Sequence, residues 1–206
     1  MDSFLYTAFL LTSIGFIVIP GPNVLVIVST SINQGVKRGL QTVAGTTTAM
    51  ALQLLIAGLA SASVVQLVQH GLSWLKWVGL LYLCYLALQH WRRAWRNKEQ
   101  SGSIASETAV WTFSRGFLVS ISNPKTILFF TAFLPQFTSA EFNYSIQITV
   151  LSLTFVVAAL LFDSLYAILA GRLRHLLWRP RLQHGISGSL YGLAALGLYL
   201  HSRLRA

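Results

Sequence analysis

Two long stretches without charge limit the fold of this chain more than any other feature. No residue from Ser3 to Val36 is charged, a run of 34 residues, and a second uncharged run extends from Gly39 to Gln69. A membrane-spanning helix needs only about 20 apolar residues. Soluble domains carry about 25% charged residues, whereas this chain of 206 residues carries 10%. The sequence therefore predicts an all-α integral membrane protein.

The apolar segments divide into two groups of three. We place the six transmembrane helices at residues 4–31, 40–66, 72–91, 114–135, 145–171 and 184–201. The polar stretch RNKEQSGSIASETA separates the third from the fourth and is typical of a flexible linker. We therefore expect three-helix units at 1–96 and 112–206, joined by a linker at 97–111. Because three is odd, two similar units would be inverted repeats.

The distribution of basic residues predicts the orientation in the membrane. If the amino terminus is outside, the cytoplasmic connections hold eleven basic residues: Lys37, Arg38, Arg92, Arg93, Arg96, Lys98, Arg115, Arg172, Arg174, Arg179 and Arg181. The opposite face holds three, Lys76, Arg203 and Arg205, and Lys125 lies within a helix. Connections rich in Lys and Arg stay in the cytoplasm, so both termini should lie outside.

Several other classes of protein fit poorly. The net charge of +10 is divided among short clusters between apolar segments, so we expect a lipid bilayer rather than nucleic acid as partner. One cysteine, Cys84, cannot form a disulfide framework, and the five histidines show no metal-ligand spacing. We expect no metal and no cofactor. Asp2 stands where a secretory signal would begin with basic residues, so we do not expect a signal peptide.

Prolines interrupt two of the predicted helices. The first contains Pro20, Gly21, Pro22 and Asn23, and the fourth contains Asn123, Pro124 and Lys125. A proline removes a backbone donor, which leaves the carbonyls of Phe16, Val18 and Ser120 without helical partners. The half-helix after each break presents free N–H groups and a positive dipole end. One place therefore offers acceptors for an ammonium and donors for a carboxylate, as the zwitterionic head of an amino acid requires.

Breaks in corresponding helices of two repeats are typical of inverted-repeat transporters. The alternative is a pair of plain proline kinks that only allow bent helices to pack. Glycines in the second and sixth helices allow close helix approach, either within one bundle or in a homodimer.

Asp163 is the one acidic residue inside a predicted helix. A carboxylate at the bilayer centre costs about 2.5–3.5 kcal/mol, and such residues usually serve function. At about 1.5 Å per residue, Asp163 and Pro124 both lie about 14 Å from the cytoplasmic boundary, near the midplane. Asp163 is either a proton site coupled to transport or a static partner of Lys125.

Together these motifs resemble a known family. PGPN, GVKRGLQTVAG, LKWVGLLYLCYLAL and FSRGFLVSISNPKTILFFTAFLPQF look like the LysE/RhtB amino-acid exporters of bacterial inner membranes, over essentially the whole chain. The resemblance implies efflux of amino acids or close derivatives by proton antiport, not an enzyme. Carried over residue by residue, it implies substrate binding by Pro20, Gly21, Pro22, Asn23, Asn123, Pro124 and Lys125, and proton coupling by Asp163.

Position 23 departs from the family pattern, because many members have Asp where this chain has Asn23. The neutral amide puts the coupling role on Asp163 and favours a neutral or apolar amino acid over a cationic one. Two alternatives stay open: a heavy-metal cation exporter, for which the predicted helices offer few soft ligands, and a membrane subunit without transport activity.

The predicted orientation can be tested by chemical labelling. In a variant without Cys84, a cysteine introduced at Ser103 should resist a membrane-impermeant thiol reagent in intact cells, because the linker is cytoplasmic. A cysteine near either terminus should react. Labelling at position 103 in intact cells would contradict the inverted arrangement.

Overall fold

The computed structural model describes residues 2–59, 77, 80–92, 94–95, 108–173 and 180–203, and the described part of the chain contains helices and no strand. This confirms the all-α class. The longer helices are α1 (Ser3–Val18), α2 (Pro22–Gln34), α3 (Val36–Leu59), α4 (residues 80–92), α5 (Ala109–Ile121), α6 (Pro124–Leu128), α7 (Tyr144–Leu173) and α8 (Pro180–Arg203). Most of the predicted linker at 97–111 lies outside the described residues.

The first predicted helix is broken where its prolines stand. The Asp2 carboxylate caps the start of α1 by accepting from the backbone N–H groups of Phe4 and Leu5. That helix ends at Val18, and α2 begins at Pro22 after a bend of 49°. Proline suits the first helical position because the N–H that it lacks has no intrahelical acceptor there. The predicted break is therefore confirmed.

A single residue, Gly35, connects α2 to α3. Its φ of 87° lies in the left-handed region that favours glycine. Helix α3, which corresponds to the second predicted transmembrane helix, thus starts at Val36, four residues before the predicted boundary at 40. Lys37 and Arg38 stand in its first turn rather than in a loop.

The second predicted break is also present. Helix α5 ends at Ile121, and the Asn123 side chain caps α6 by accepting from the backbone N–H of Lys125 at 3.0 Å. The chain then continues through a π-helical turn at Phe129–Phe133 and a 3₁₀ turn at Leu134–Phe137. The two parts of this segment meet at 50°.

Among the described residues, two single helices are long and apolar enough to cross a membrane, Val36–Gly58 and Tyr144–Leu173. Each of the two bent segments passes the same test if it counts as one span, which gives up to four spans. Helix α4 falls within the predicted third span and α8 covers the predicted sixth.

Helices α3 and α5 cross at two glycines. A Cβ on Gly45 would collide with the backbone carbonyl oxygen of Phe113, and a Cβ on Gly116 would collide with that of Thr42. The two backbones are therefore in direct contact, as small residues permit in membrane helices. This contact joins the second predicted helix to the fourth.

Two apolar clusters lie on either side of the breaks. The first contains Phe9, Ile17, Met50, Leu54, Phe129, Phe130, Leu134, Ile148, Leu151, Phe155 and Ala159. The second contains Val26, Ile27, Val43, Leu83, Leu86, Ala87, Val119, Ala167, Tyr191 and Ala195. On α7, Asp163 stands four residues from Ala159 of the first cluster and four from Ala167 of the second. The three residues share one face of the helix, so Asp163 lies between the two clusters. A polar layer thus separates two apolar ones.

The structure corrects the predicted position of Arg115. We assigned this residue to a cytoplasmic connection, but α5 begins at Ala109, and Arg115 lies inside that helix with 2% of its surface exposed. Its guanidinium donates to the Tyr191 hydroxyl at 3.5 Å. Without Arg115 the orientation count falls from eleven to ten against three, which leaves the predicted orientation unchanged.

The glycine contact between α3 and α5 predicts sensitivity to one methyl group. Gly45→Ala and Gly116→Ala should each lower the melting temperature of the detergent-solubilised protein, because overpacking typically costs about 1–3 kcal/mol. Gly15→Ala is the matched control, since a Cβ at that position has no atom within 4 Å apart from its chain neighbours and the nearby backbone of its own helix. Equal melting temperatures in all three variants would contradict the close crossing.

Candidate functional site

A small open cavity lies where the two breaks meet, with about 30 Å³ of room for the centre of a water-sized sphere. Its walls come from both breaks, from α3 and from α7. The lining residues are Phe16, Ile17, Ile19, Gly21, Asn23, Val24, Met50, Asn123, Lys125, Thr126, Phe155, Ala159 and Asp163. Small-molecule sites typically combine apolar walls with a few polar groups. This cavity has that composition.

At the first break, side chains from distant segments bind carbonyls at the carboxyl end of α1, two of which lose their donors to prolines. The Lys125 ammonium donates to the Phe16 carbonyl oxygen and to the Ile19 carbonyl oxygen, each at 2.6 Å. The Tyr166 hydroxyl donates to the Val18 carbonyl oxygen at 2.9 Å. The carboxyl end of α1 is therefore held by residues more than 100 positions away.

At the second break a distant side chain also donates to backbone carbonyls, but here the donor comes from the first half of the chain and the carbonyls from the second. Pro124 provides no N–H for the Ser120 carbonyl, and the N–H of Lys125 is used by the Asn123 cap. The Gln53 side-chain amide, from α3, donates to the Ser120 carbonyl oxygen at 3.2 Å and to the Ile121 carbonyl oxygen at 3.1 Å. The Ser120 carbonyl also accepts from the backbone N–H of Asn123 at 3.0 Å, so Gln53 adds to the donors of this break as Lys125 does at the first.

Asparagine side chains join the two breaks directly. The Asn123 amide donates to the Asn23 side-chain oxygen at 2.9 Å, and the Asn23 amide donates to the Ser120 hydroxyl at 3.0 Å. That hydroxyl in turn donates to the Thr46 carbonyl oxygen at 3.1 Å. Asn23, Asn123 and Ser120 are buried, so the network fixes the relative positions of α2, α3 and α5.

Helix α2 presents an open amino terminus to this cavity. Its cap position is Gly21, which has no side chain to accept a hydrogen bond. Within the described part of the chain, no side chain caps the N–H groups of Asn23 and Val24, and both residues line the cavity. The first N–H groups of a helix attract an anion together with its dipole. A carboxylate is the group that suits this position.

Asp163 is 3% exposed and lines the cavity together with Lys125. The two residues line the same space, yet no direct ion pair joins them in the part of the chain that the structure describes. Lys125 donates instead to the carbonyls of α1. In this conformation, the two groups line one cavity while Lys125 bonds to backbone carbonyls.

Two aromatic side chains on the cavity wall, Phe16 and Phe155, both pack against Phe129. The ring centroid of Phe16 lies 4.3 Å from that of Phe129, and Phe129 lies 5.2 Å from Phe155. The Lys125 ammonium lies 4.4 Å from the centroid of Phe16, within the range of a cation–π contact. A ligand here would meet one charged end and one aromatic surface.

The structure brings together five of the eight site residues predicted from sequence. Gly21, Asn23, Asn123, Lys125 and Asp163 line the cavity, whereas the three prolines do not and only shape the breaks. Sequence reasoning named the Ser120 carbonyl but missed the Ser120 hydroxyl, Gln53, Thr46 and Tyr166. Gln53 carried a signal, because it is a lone amide in the apolar stretch MALQLLIAG.

Comparison with known proteins gives one family and several relatives. Residues 14–202 match the family model described as LysE type translocator. The chain is 30% identical to a homoserine/homoserine lactone efflux protein of Salmonella typhimurium over 89% of this chain and 90% of the relative. It is 25% identical to a leucine efflux protein of the same organism, over 93% and 91%. An uncharacterized membrane protein of Pseudomonas aeruginosa is 32% identical over 87% and 85%. No solved structure matches.

The hydrogen bonds from Gln53 predict a loss of stability when that donor is removed. Gln53→Met keeps the approximate shape of the side chain but leaves the Ile121 carbonyl without its donor, which typically costs about 1–3 kcal/mol for a buried group. The melting temperature of the purified variant should fall. Thr48→Val is the control, because the Thr48 hydroxyl bonds to Ala44 of its own helix. A melting temperature for Gln53→Met equal to that of the control would contradict this role.

Proposed function

The chain belongs to the LysE type translocator family, and we propose that it exports neutral amino acids or close derivatives from the bacterial cytoplasm. As a member of this family it is a translocator and not an enzyme. The names of its relatives, which are efflux proteins for homoserine, homoserine lactone and leucine, support the substrate class. The proposal places the protein in the cytoplasmic membrane, as six helices in two inverted repeats with both termini outside.

One observation carries the proposal: the cavity offers partners for both charges of an amino acid. The carbonyls of Phe16 and Ile19 already hold an ammonium, that of Lys125. The uncapped amino terminus of α2 lies on the same cavity and suits a carboxylate. In this proposal, the substrate head group binds between the two.

The remaining walls set the preference for the substrate side chain. Phe16 and Phe155 offer an apolar surface, and Asn23 provides an amide where many family members have a carboxylate. The cavity wall holds one acid, Asp163, and one base, Lys125, whose charges balance. A zwitterion keeps that balance because it carries no net charge. A cationic amino acid would add an unbalanced charge in a medium where this is costly.

Asp163 is the proposed proton site. It is the acidic residue on the cavity wall, and it is buried without a direct ion pair among the described residues. A carboxyl group in that position can take up a proton from outside and release it inside as the substrate leaves the cytoplasm. This is proton antiport.

Export by cells loaded with dipeptides tests the proposed function. Dipeptides of leucine, homoserine, lysine and other amino acids are hydrolysed inside, and every amino acid in the medium is measured with and without the protein. Cells that contain it should release neutral amino acids faster. Equal release of every amino acid would contradict the proposal.

Asp163→Asn tests the coupling in proteoliposomes. The variant is fixed in the neutral state, so efflux driven by a pH gradient should fall to the level of empty vesicles, while exchange of internal for external substrate continues. Because Lys125 keeps its carbonyl partners, the variant should avoid the loss of about 3–5 kcal/mol that follows when a direct buried pair is broken. Full gradient-driven efflux by stable Asp163→Asn would exclude a proton role for this residue.

A further inference from the structure

The ammonium of Lys125 occupies a position that is built for an amine. It donates to two carbonyl oxygens at 2.6 Å and lies 4.4 Å from the centroid of the Phe16 ring. An ammonium has three donors and no acceptor, so two carbonyls and a ring face make a nearly complete set of partners. Any primary amine that reached this place would find the same partners.

The rest of the lysine side chain lies across the amino terminus of α2. A Cβ on Gly21 would stand 3.2 Å from Lys125 Cδ and 3.8 Å from Nζ. The chain of Lys125 therefore runs over the backbone of the break, close to the open amino terminus of α2. It fills the part of the cavity where a substrate head group would have to bind.

We propose that Lys125 is a tethered substitute for the substrate's ammonium, which fills the amine position at Phe16 and Ile19 in the empty carrier and is displaced when an amino acid binds. This rests on the proposed function in one respect, that the cavity is the amino-acid site. It adds a competition between the protein's own amine and the amine of its cargo.

The Lys125 ammonium supplies hydrogen bonds that the broken helix needs when no substrate is bound. The carbonyls of Phe16 and Ile19 have no helical donor, and unsatisfied backbone groups are costly inside a membrane. A substrate satisfies them only while it is bound. Lys125 satisfies them in the interval and so lowers the energy of the empty state.

A second partner for the lysine favours its displacement, and the cavity contains one. The Asp163 carboxylate lines the same cavity without a direct ion pair in the described part of the chain. In the loaded state, the substrate amine binds to the carbonyls of Phe16 and Ile19, and the ammonium of Lys125 turns towards Asp163. Substrate binding and the charge state of the acid are thereby linked.

The test uses n-butylammonium, an amine without a carboxylate, and purified full-length protein in lipid nanodiscs. Lys125→Met removes the competing ammonium and keeps an unbranched side chain. If the amine position is open in only about a tenth of wild-type molecules, its removal raises the apparent affinity for n-butylammonium about tenfold. Melting temperatures with and without the amine show that the variant is folded and report the same binding.

Two controls separate competition for the position from simple charge effects. Removing Lys125 also leaves the charge of Asp163 unbalanced, which would attract any cation, so the comparison is repeated between Asp163→Asn and the double variant with Lys125→Met. The gain in affinity should persist there. Tyr166→Phe, which removes the donor of the neighbouring Val18 carbonyl but leaves Lys125 in place, should show no gain.

Isovalerate, a carboxylate without an amine, tests the opposite role. If Lys125 binds the substrate carboxylate, Lys125→Met weakens isovalerate binding and leaves n-butylammonium unchanged, which overturns the proposal. Absence of any gain for n-butylammonium in the Asp163→Asn background overturns it as well. Failure of the proposed function is a separate result, because it appears as absence of amino-acid release from dipeptide-loaded cells whatever the amine binding shows.

Discussion

Three side chains donate hydrogen bonds to five backbone carbonyls at the two helix breaks. Lys125 and Tyr166 donate to the carboxyl end of α1, while Gln53 donates to the end of α5. Each donor comes from the other end of the chain, so neither break is stable without the opposite group of helices. Because unsatisfied carbonyls are costly in a membrane, these hydrogen bonds fix where the breaks lie, and the breaks in turn create the cavity.

The three donors differ in what they allow. The amide of Gln53 and the hydroxyl of Tyr166 are neutral, lie outside the cavity wall and bind only backbone. The ammonium of Lys125 lies in the cavity and belongs to the chemical class of the proposed cargo. A structural requirement of the broken helix thereby becomes a means of recognising substrate, since one amine can replace another on the same carbonyls. The hydrogen bonds among Asn23, Asn123 and Ser120 keep the two breaks next to each other.

Much of this arrangement could be predicted from sequence because prolines and isolated charges have local meaning. Pro20, Pro22 and Pro124 interrupt their helices whatever the packing of the surrounding helices. Asp163 stands out as a charged residue in an apolar segment. The donors that satisfy the breaks could not be found in this way. Gln53 and Tyr166 reach their carbonyls across 67 and 148 residues of sequence, and nothing local to either residue indicates its partner. Arg115 was misplaced for a related reason: its charge suggested a loop, whereas tertiary contacts bury it beside Tyr191.

The central claim is that the amine of the substrate and the amine of Lys125 occupy one position in turn. Solid-state NMR can observe this with ¹³C in the carbonyls of Phe16 and Ile19, ¹⁵N in lysine side chains and, in a second sample, ¹⁵N in the amino acid that the cells export. The account predicts dipolar coupling from Lys125 Nζ to both carbonyls in the empty protein. At saturation, coupling from the substrate nitrogen should replace it. Coupling to Lys125 that persists unchanged in the saturated protein would contradict the account.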